Sequence, residues 1–431
     1  MTIKTTRILI CGSGAGSHAL AGMFSQAPDV QVAVFTKDAT KAHCWQSSLR
    51  QEPLRIRISA GRQMRLFTAD KILVTNDPAL AAEDCDMLIF AVPAFTHAEY
   101  LRFLQPHLPD HCVIVGLPGQ NGFEWEVSAV LGERLSHCTL INFDSFPWVC
   151  RLEEFAKEVL ITGIKRELVG AIRGEPETSR LTDPLGFLQR LLGHQPCIEL
   201  AGDMLAITLI ALNAYSHPPI MYGRWHDWDG VPLAEPAHFY REVDMPTAEL
   251  LAACSAEVVA CAKRIMALRP EVDLRRVIPM YEWDMARYGD VITDSSNQMT
   301  VLNTNPVYKD IRHPMLQTED GGYVPDFNHR FLSEDVPFGL AVIRGVTEIV
   351  GIPTPHIDKV LRWSQQKLNR SYLVNHRIAG KDLDGTRCPQ KFGIQTLDEL
   401  LDAQCARPYA INAAISYANP APSNAVISEL S

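Results

Sequence analysis

Residues 6–24 read TRILICGSGAGSHALAGMF, and this stretch decides the fold. TRILIC is a short β-branched run that stops at Gly12, and the small and apolar residues that follow recur at helical spacing. Strand, tight turn and helix succeed one another without a linker. In that context Gly12-Ser13-Gly14-Ala15-Gly16-Ser17 occupies the place of a dinucleotide fingerprint. Gly12 permits the turn, Gly14 lets backbone approach a pyrophosphate, and the helix N-terminus offers unbonded N–H groups to the negative charge. The third fingerprint position holds Ser17 instead of glycine, still small enough to keep helix and strand packed. A merely structural turn is the competing reading of these residues.

Working outward, residues 31–35, MLIFAV at 87–92, CVIVGL at 112–117 and CTLINF at 138–143 are continuous apolar runs, as strands covered on both faces require. Helical stretches such as HAEYLRFLQPHL separate them, which predicts a parallel sheet of βαβ units. RIRISAGRQMRLF at 55–67 alternates around Ala60-Gly61 and predicts a small, decorative antiparallel hairpin. Past residue 200 helical periodicity takes over, as in TAELLAACSAEVVACAKRIMAL. The expected architecture is an α/β Rossmann-type dinucleotide-binding domain over residues 1–200, a mostly α-helical domain over 201–403, and a loosely ordered tail over 404–431.

Fifty acidic against 40 basic residues give a formal charge of −10, which repels a phosphate backbone and argues against nucleic acid as a partner. No segment offers about 18 uninterrupted apolar residues, and glycine interrupts the start before a signal peptide could form, so no membrane partner and a cytoplasmic location are expected. The 11 cysteines are scattered and odd in number, and read as reduced core thiols. HExxH, CxxC, GxSxG and Walker patterns are missing, and no metal is expected. After the second strand, Thr36-Lys37-Asp38 lacks the carboxylate that usually grips a ribose 2'-hydroxyl. Thr36, Lys37 and Lys41 could instead accept a 2'-phosphate or form a solvated basic loop, so NAD(H) and NADP(H) both stay open.

Among 14 histidines, His217 stands apart because it closes the apolar run LAITLIALNAYS and precedes Pro218-Pro219, which places it at the carboxyl end of a helix. A histidine mounted there suits acid–base work near neutral pH, although a satisfied histidine at a helix stop explains it too. PDFNHRFLSEDVPFG at 325–339 concentrates Asp326, Arg330, Glu334 and Asp335 before an apolar helix. Capping and surface ion pairs account for such a cluster, as does a substrate-carboxylate clamp with a carboxylate that orients a histidine.

Seven stretches together carry a family resemblance: CGSGAGSHALAG at 11–22, VPAFTHAEY at 92–100, IVGLPGQNGFE at 114–124, FPWVCR at 146–151, SHPPIMYGRWHDWDG at 216–230, PDFNHRFLSEDVPFG at 325–339 and TRCPQKFG at 386–393. The chain resembles the opine dehydrogenases, most of all those of octopine type, over nearly its whole length. The resemblance implies a reductive condensation in which an amino acid joins a 2-oxo acid such as pyruvate and reduced nicotinamide delivers hydride to the imine. It implies that His217 is the catalytic acid–base, Asp335 its paired aspartate and Arg330 the arginine that holds the substrate carboxylate. Where octopine-type enzymes hold a guanidinium with glutamate, this chain has Asp144, which keeps the charge and shortens the reach. The alternatives are a hydroxy-acid or sugar-acid dehydrogenase of similar architecture and a nicotinamide-binding sensor without turnover.

Overall fold

The computed structural model describes residues 5–59, 64–174 and 181–402. The expected tail and the Ala60-Gly61 turn lie outside them. The chain divides into two compact units, the first ending at Ile207 and the second beginning at Thr208.

Twelve strands are described in the first unit: β1 (Thr6–Cys11), β2 (Val30–Phe35), β3 (Leu54–Ile58), β4 (Arg65–Ala69), β5 (Ile72–Thr75), β6 (Met87–Phe90), β7 (Val113–Gly116), β8 (Thr139–Phe143), β9 (Trp148–Glu154), β10 (Glu158–Ile164), β11 (Glu167–Arg173) and β12 (Cys197–Leu200). Helices α1 (Ala15–Phe24), α2 (Ala39–Leu49), α3 (Pro78–Ala82), α4 (His97–Leu104), α5 (Phe123–Leu131) and α6 (Pro184–Leu192) lie between them. Eight strands form one sheet in the order β12-β11-β8-β7-β6-β1-β2-β5. From β5 to β8 every pairing is parallel, and the order reverses at β1 and β6, which is the Rossmann arrangement with its topological switch point. β11 runs antiparallel to β8, so the expected all-parallel sheet ends in a mixed edge. Both edges are blunted in the same way: Gln46 of α2 accepts from Val74 N at 2.7 Å, and Gln189 of α6 accepts from Ile198 N at 2.7 Å.

The expected hairpin exists as β3 and β4, paired antiparallel from Leu54↔Ala69 to Ile58↔Arg65, but it is not decorative. With β9 and β10 it makes a second sheet, β4-β3-β10-β9. Its alternate residues Leu54, Ile56, Ile58, Val159 and Ile161 belong to one buried cluster with Ala19, Leu20 and Phe24 of α1. Arg55 and Arg57 point the other way and pair with Glu158 at 3.0 and 2.6 Å. Period-two alternation thus covers the helix on one face and faces solvent with ion pairs on the other. The fit is close: a Cβ added at Gly22 would fall 2.4 Å from Ile56 Cγ1.

The second unit is mostly helical, as expected. After α7 (Met204–Ile210), in which the chain leaves the first unit, come α8 (Asn213–Trp225), α9 (Met245–Leu268), α10 (Met280–Tyr288), α11 (Gln298–Thr304), α12 (Arg330–Ser333), α13 (Ala341–Val350) and α14 (Pro355–Lys367). Asp244 caps α9 by accepting from Thr247 N at 3.0 Å. The buried carboxylate of Glu257, on α9, accepts from His356 N and Ile357 N at 2.9 and 3.0 Å and so satisfies the first turn of α14. No described helix is long and apolar enough to cross a membrane.

The packing of the second sheet on α1 has a measurable consequence. Ile56→Ala is expected to lower the unfolding free energy by about 2–5 kcal/mol, the cost of truncating a fully buried aliphatic side chain. Denaturant unfolding of the variant measures it, and a loss below about 0.5 kcal/mol would mark the hairpin as dispensable.

Candidate active site

The first unit places the glycine-rich turn at the switch point. Gly12 has φ +108°, on the side of the map that favours glycine, and a Cβ there would lie 2.4 Å from Val92 Cγ1. Gly14 is the opposite case. Its backbone is extended (φ −86°, ψ −174°), any residue could adopt it, and a Cβ would meet nothing within 4 Å. The fold requires glycine at position 12, whereas at 14 glycine only keeps space open. No side chain caps α1, so the N–H groups of its first turn face that space. An unfilled gap beside uncapped donors fits a dinucleotide pyrophosphate.

The other fingerprint residues turn inward. A Cβ on Gly16 would lie 3.1 Å from the Phe146 ring, and Ser17 is fully buried with Oγ donating to Cys11 O at 3.2 Å. Both hold helix to strand. His18, which the sequence did not single out, ties the turn down: Nδ1 donates to Gly14 O at 2.8 Å, Nε2 accepts from Ala156 N at 3.2 Å, and the ring stacks on Trp45 at 3.5 Å. Its partners fix the tautomer, and burial lowers its pKa to about 4, so it is neutral. Thr36 is buried at the end of β2 with Oγ1 3.4 Å from Ser13 Oγ. Lys37 pairs with Glu99 and lies 5.2 Å from the Tyr100 ring centre. Asp144 follows β8, and its Oδ1 accepts from Ser145 Oγ at 2.9 Å and Val169 N at 3.2 Å.

In the second unit His217 lies inside α8, not at a carboxyl end. The backbone leaves helical geometry at Tyr215 (φ −122°, ψ 19°), and Pro218 and Pro219 fall in the first turn of the segment that continues to Trp225. Proline's missing N–H costs nothing there, because first-turn N–H groups have no helical partner. The proline pair therefore starts a helical segment, and the expected stabilisation of a cation by a helix carboxyl end does not act on His217. A carboxylate stands beside it instead. Asp335 Oδ2 lies 2.7 Å from His217 Nδ1, both side chains being under 10% exposed. Phe331 and Phe239 pack against the imidazole, with ring centres at 4.0 and 5.5 Å.

Asp335 is presented by a widened turn. Its N–H donates to Arg330 O at 3.1 Å and its carbonyl accepts from Leu340 N at 2.8 Å, both five-residue spacings, and Val336–Leu340 forms a π-turn leading into α13. Pro337 has no N–H to give the ordinary four-residue bond, and such turns recur at functional sites. Arg330 opens α12 with its side chain 38% exposed and Nε 3.5 Å from Glu334 Oε2. His329, the cap of that helix, is held at about 4 by burial and is neutral. One partner escaped the sequence reading: Tyr240 Oη lies 3.1 Å from His217 Nε2. Its stretch, HFYRE, has no motif or periodicity, and only packing brings it to His217.

Comparison with known proteins agrees across the chain. A family model for NAD/NADP octopine/nopaline dehydrogenase, alpha-helical domain, matches residues 200–368, and one for ketopantoate reductase PanE/ApbA matches residues 8–144. Tauropine dehydrogenase of Arabella iricolor is 41% identical over 396 residues, covering 91% of this chain and 99% of that protein. Octopine dehydrogenase of Pecten maximus is 38% identical over 400 residues, covering 92% and 99%. A solved structure of octopine dehydrogenase with NADH and L-arginine matches with TM-score 0.89 and 35% identity, over 94% of this chain and 100% of that one. D-mandelate dehydrogenase, at 15% identity and TM-score 0.52, shares the fold alone.

The two glycines separate folding from binding. Gly14→Val is expected to fold normally, since its side chain has room, and to lose reduced-cofactor affinity by at least about 100-fold, because that room is where a pyrophosphate would lie. Circular dichroism and cofactor fluorescence titration check both parts. Unchanged affinity in the folded variant would place the dinucleotide elsewhere.

Proposed function

Because this chain belongs to the opine dehydrogenase family, we propose that its own His217, Asp335 and Arg330 carry the family's reaction. The enzyme is an NAD(P)H-dependent oxidoreductase acting on CH–NH groups, and it condenses an amino acid with a 2-oxo acid reductively. The observation that supports the residue roles best is the buried 2.7 Å contact between His217 and Asp335.

Asp335 accepts from Nδ1–H, fixes the imidazole tautomer and leaves Nε2 as the nitrogen that gains and loses a proton. When the amine adds to the 2-oxo carbon, the carbinolamine must shed water, and protonated His217 supplies the proton that lets hydroxide leave. Nearby negative charge from Asp335 stabilises the imidazolium before that transfer. Arg330 binds the oxo-acid carboxylate through two parallel N–H donors. The Gly12–Gly14 turn and the first turn of α1 would hold a reduced nicotinamide, whose chemistry there would be hydride donation.

Pyruvate is the proposed oxo acid, in line with the pyruvate complex of octopine dehydrogenase, a chain 34% identical. Asp144 is proposed to recognise the amino donor. Its side chain is shorter than the glutamate of octopine-type enzymes, and the opine named differs between the tauropine and octopine dehydrogenases.

Reduced-nicotinamide oxidation with pyruvate, with and without a panel of taurine, alanine, glycine and arginine, tests the reading. Turnover is expected only when an amine is present. Full-rate oxidation without one would favour the hydroxy-acid alternative. His217→Ala is expected to lower kcat by about 10²–10⁴-fold with cofactor affinity nearly intact. Asp335→Asn should act in the same direction, and the double variant should lose far less than the product of the single losses, since the pair works as a unit. Fully multiplicative losses would sink the pair.

A further inference from the structure

Both ring nitrogens of His217 are engaged within the second unit. Nδ1 faces Asp335 at 2.7 Å, and Nε2 faces the hydroxyl of Tyr240 at 3.1 Å. All three residues are under 10% exposed. We propose that Tyr240 is a positioning residue of the condensation, its hydroxyl bonding His217 Nε2 in either protonation state of the substrate-free enzyme and so setting the imidazole before a substrate takes that nitrogen. This inference rests on the reading of His217 as the acid–base.

A hydroxyl suits that place because it both donates and accepts. Toward neutral imidazole Tyr240 donates O–H to the Nε2 lone pair. Toward imidazolium it turns a lone pair to Nε2–H. A carboxylate could serve only the second state, and a backbone N–H only the first. Burial, with Asp284 adding to it, pushes the Tyr240 hydroxyl above the usual phenol range, so it stays protonated.

The phenol is mounted independently of any substrate. Its ring stacks on Tyr308 at 4.2 Å and meets Phe239 edge-on at 4.9 Å. Tyr308 in turn places its hydroxyl 3.5 Å from Asp284 Oδ1, whose other oxygen accepts from Gln298 Nε2 at 2.9 Å. Asp284 is itself raised to about 6 by burial. Among the described residues, Tyr288 and Asp335 also act on the Tyr240 hydroxyl, and the neutral His329, with Arg330 and Asp326 beside it, interacts with His217 and Asp335. Phe331 and Phe239 leave the imidazole faces apolar. A charge-assisted bond from Nε2–H is about twice as strong as its neutral counterpart, so the hydroxyl favours the protonated ring. Removing it weakens the acid form more than the base form.

Tyr240→Phe and Tyr308→Phe, each in the full-length enzyme with reduced cofactor, test the assignment. Tyr240→Phe should lower kcat/KM by about 10–100-fold, the worth of one buried hydrogen bond, and leave cofactor affinity within about twofold. The pH limb of kcat/KM that His217→Ala abolishes should move to lower pH. Tyr308→Phe removes a hydroxyl from the other ring of the same stack and should leave that limb in place. 3-Fluorotyrosine incorporated at position 240 preserves shape and weakens the acceptor, so it should move the limb the same way even if Tyr240→Phe folds poorly. An unmoved limb with 3-fluorotyrosine, or an equal shift in Tyr308→Phe, would overturn the proposal. Normal turnover in His217→Ala would instead overturn the acid–base reading beneath it.

Discussion

Helix α1 is held between two sheets, and that confinement sets the size of nearly every side chain it carries. The eight-stranded sheet lies on one side and the β4-β3-β10-β9 sheet on the other, so the helix buries residues all round. Glycine at 16 and 22 admits Phe146 and Ile56, and Ser17 spends its hydroxyl on the Cys11 carbonyl. His18 is the one large polar residue allowed, because both nitrogens are bonded and its ring is stacked. A buried polar group left unpaired in that slot would cost about 1–3 kcal/mol. Only the amino end of the helix escapes, and there the first-turn N–H groups stay uncapped. The same packing that removes freedom from the helix body points its donors at one place.

This explains which parts of the molecule were legible in the sequence. β1, Gly12 and α1 were readable because strand, turn and helix are contiguous, and because small residues at helical spacing leave a local trace. The β3–β4 hairpin was readable as a hairpin, by alternation, yet its role was not, since the strands β9 and β10 that complete its sheet lie about 100 residues away. His217 was found by its neighbours and misplaced by them. A proline pair after an apolar run looks like a stop, but a break at Tyr215 two residues earlier turns the same prolines into a start. Backbone breaks at tyrosine have no composition signal. Tyr240 left no sequence trace because its role depends on a contact 23 residues away.

The two units meet the need for rigidity by different means. In the first, glycines bring backbone close to neighbouring side chains, and precision comes from steric exclusion. In the second, His217 sits in an aromatic cage of Phe239, Phe331 and Tyr240, where packing alone would let a flat ring rotate about its own axis. Directional bonds at both nitrogens remove that rotation. In so dry a setting each bond is stronger than in water and each omission costs more, so a buried chain of carboxylate, imidazole and phenol must be complete to be worth having. The π-turn at Val336–Leu340 and the proline start of α8 are the backbone devices that bring its first two members within 2.7 Å. Neither device adds much stability of its own. Each fixes where one side chain leaves the backbone, and an acid–base group needs that direction set before a substrate arrives.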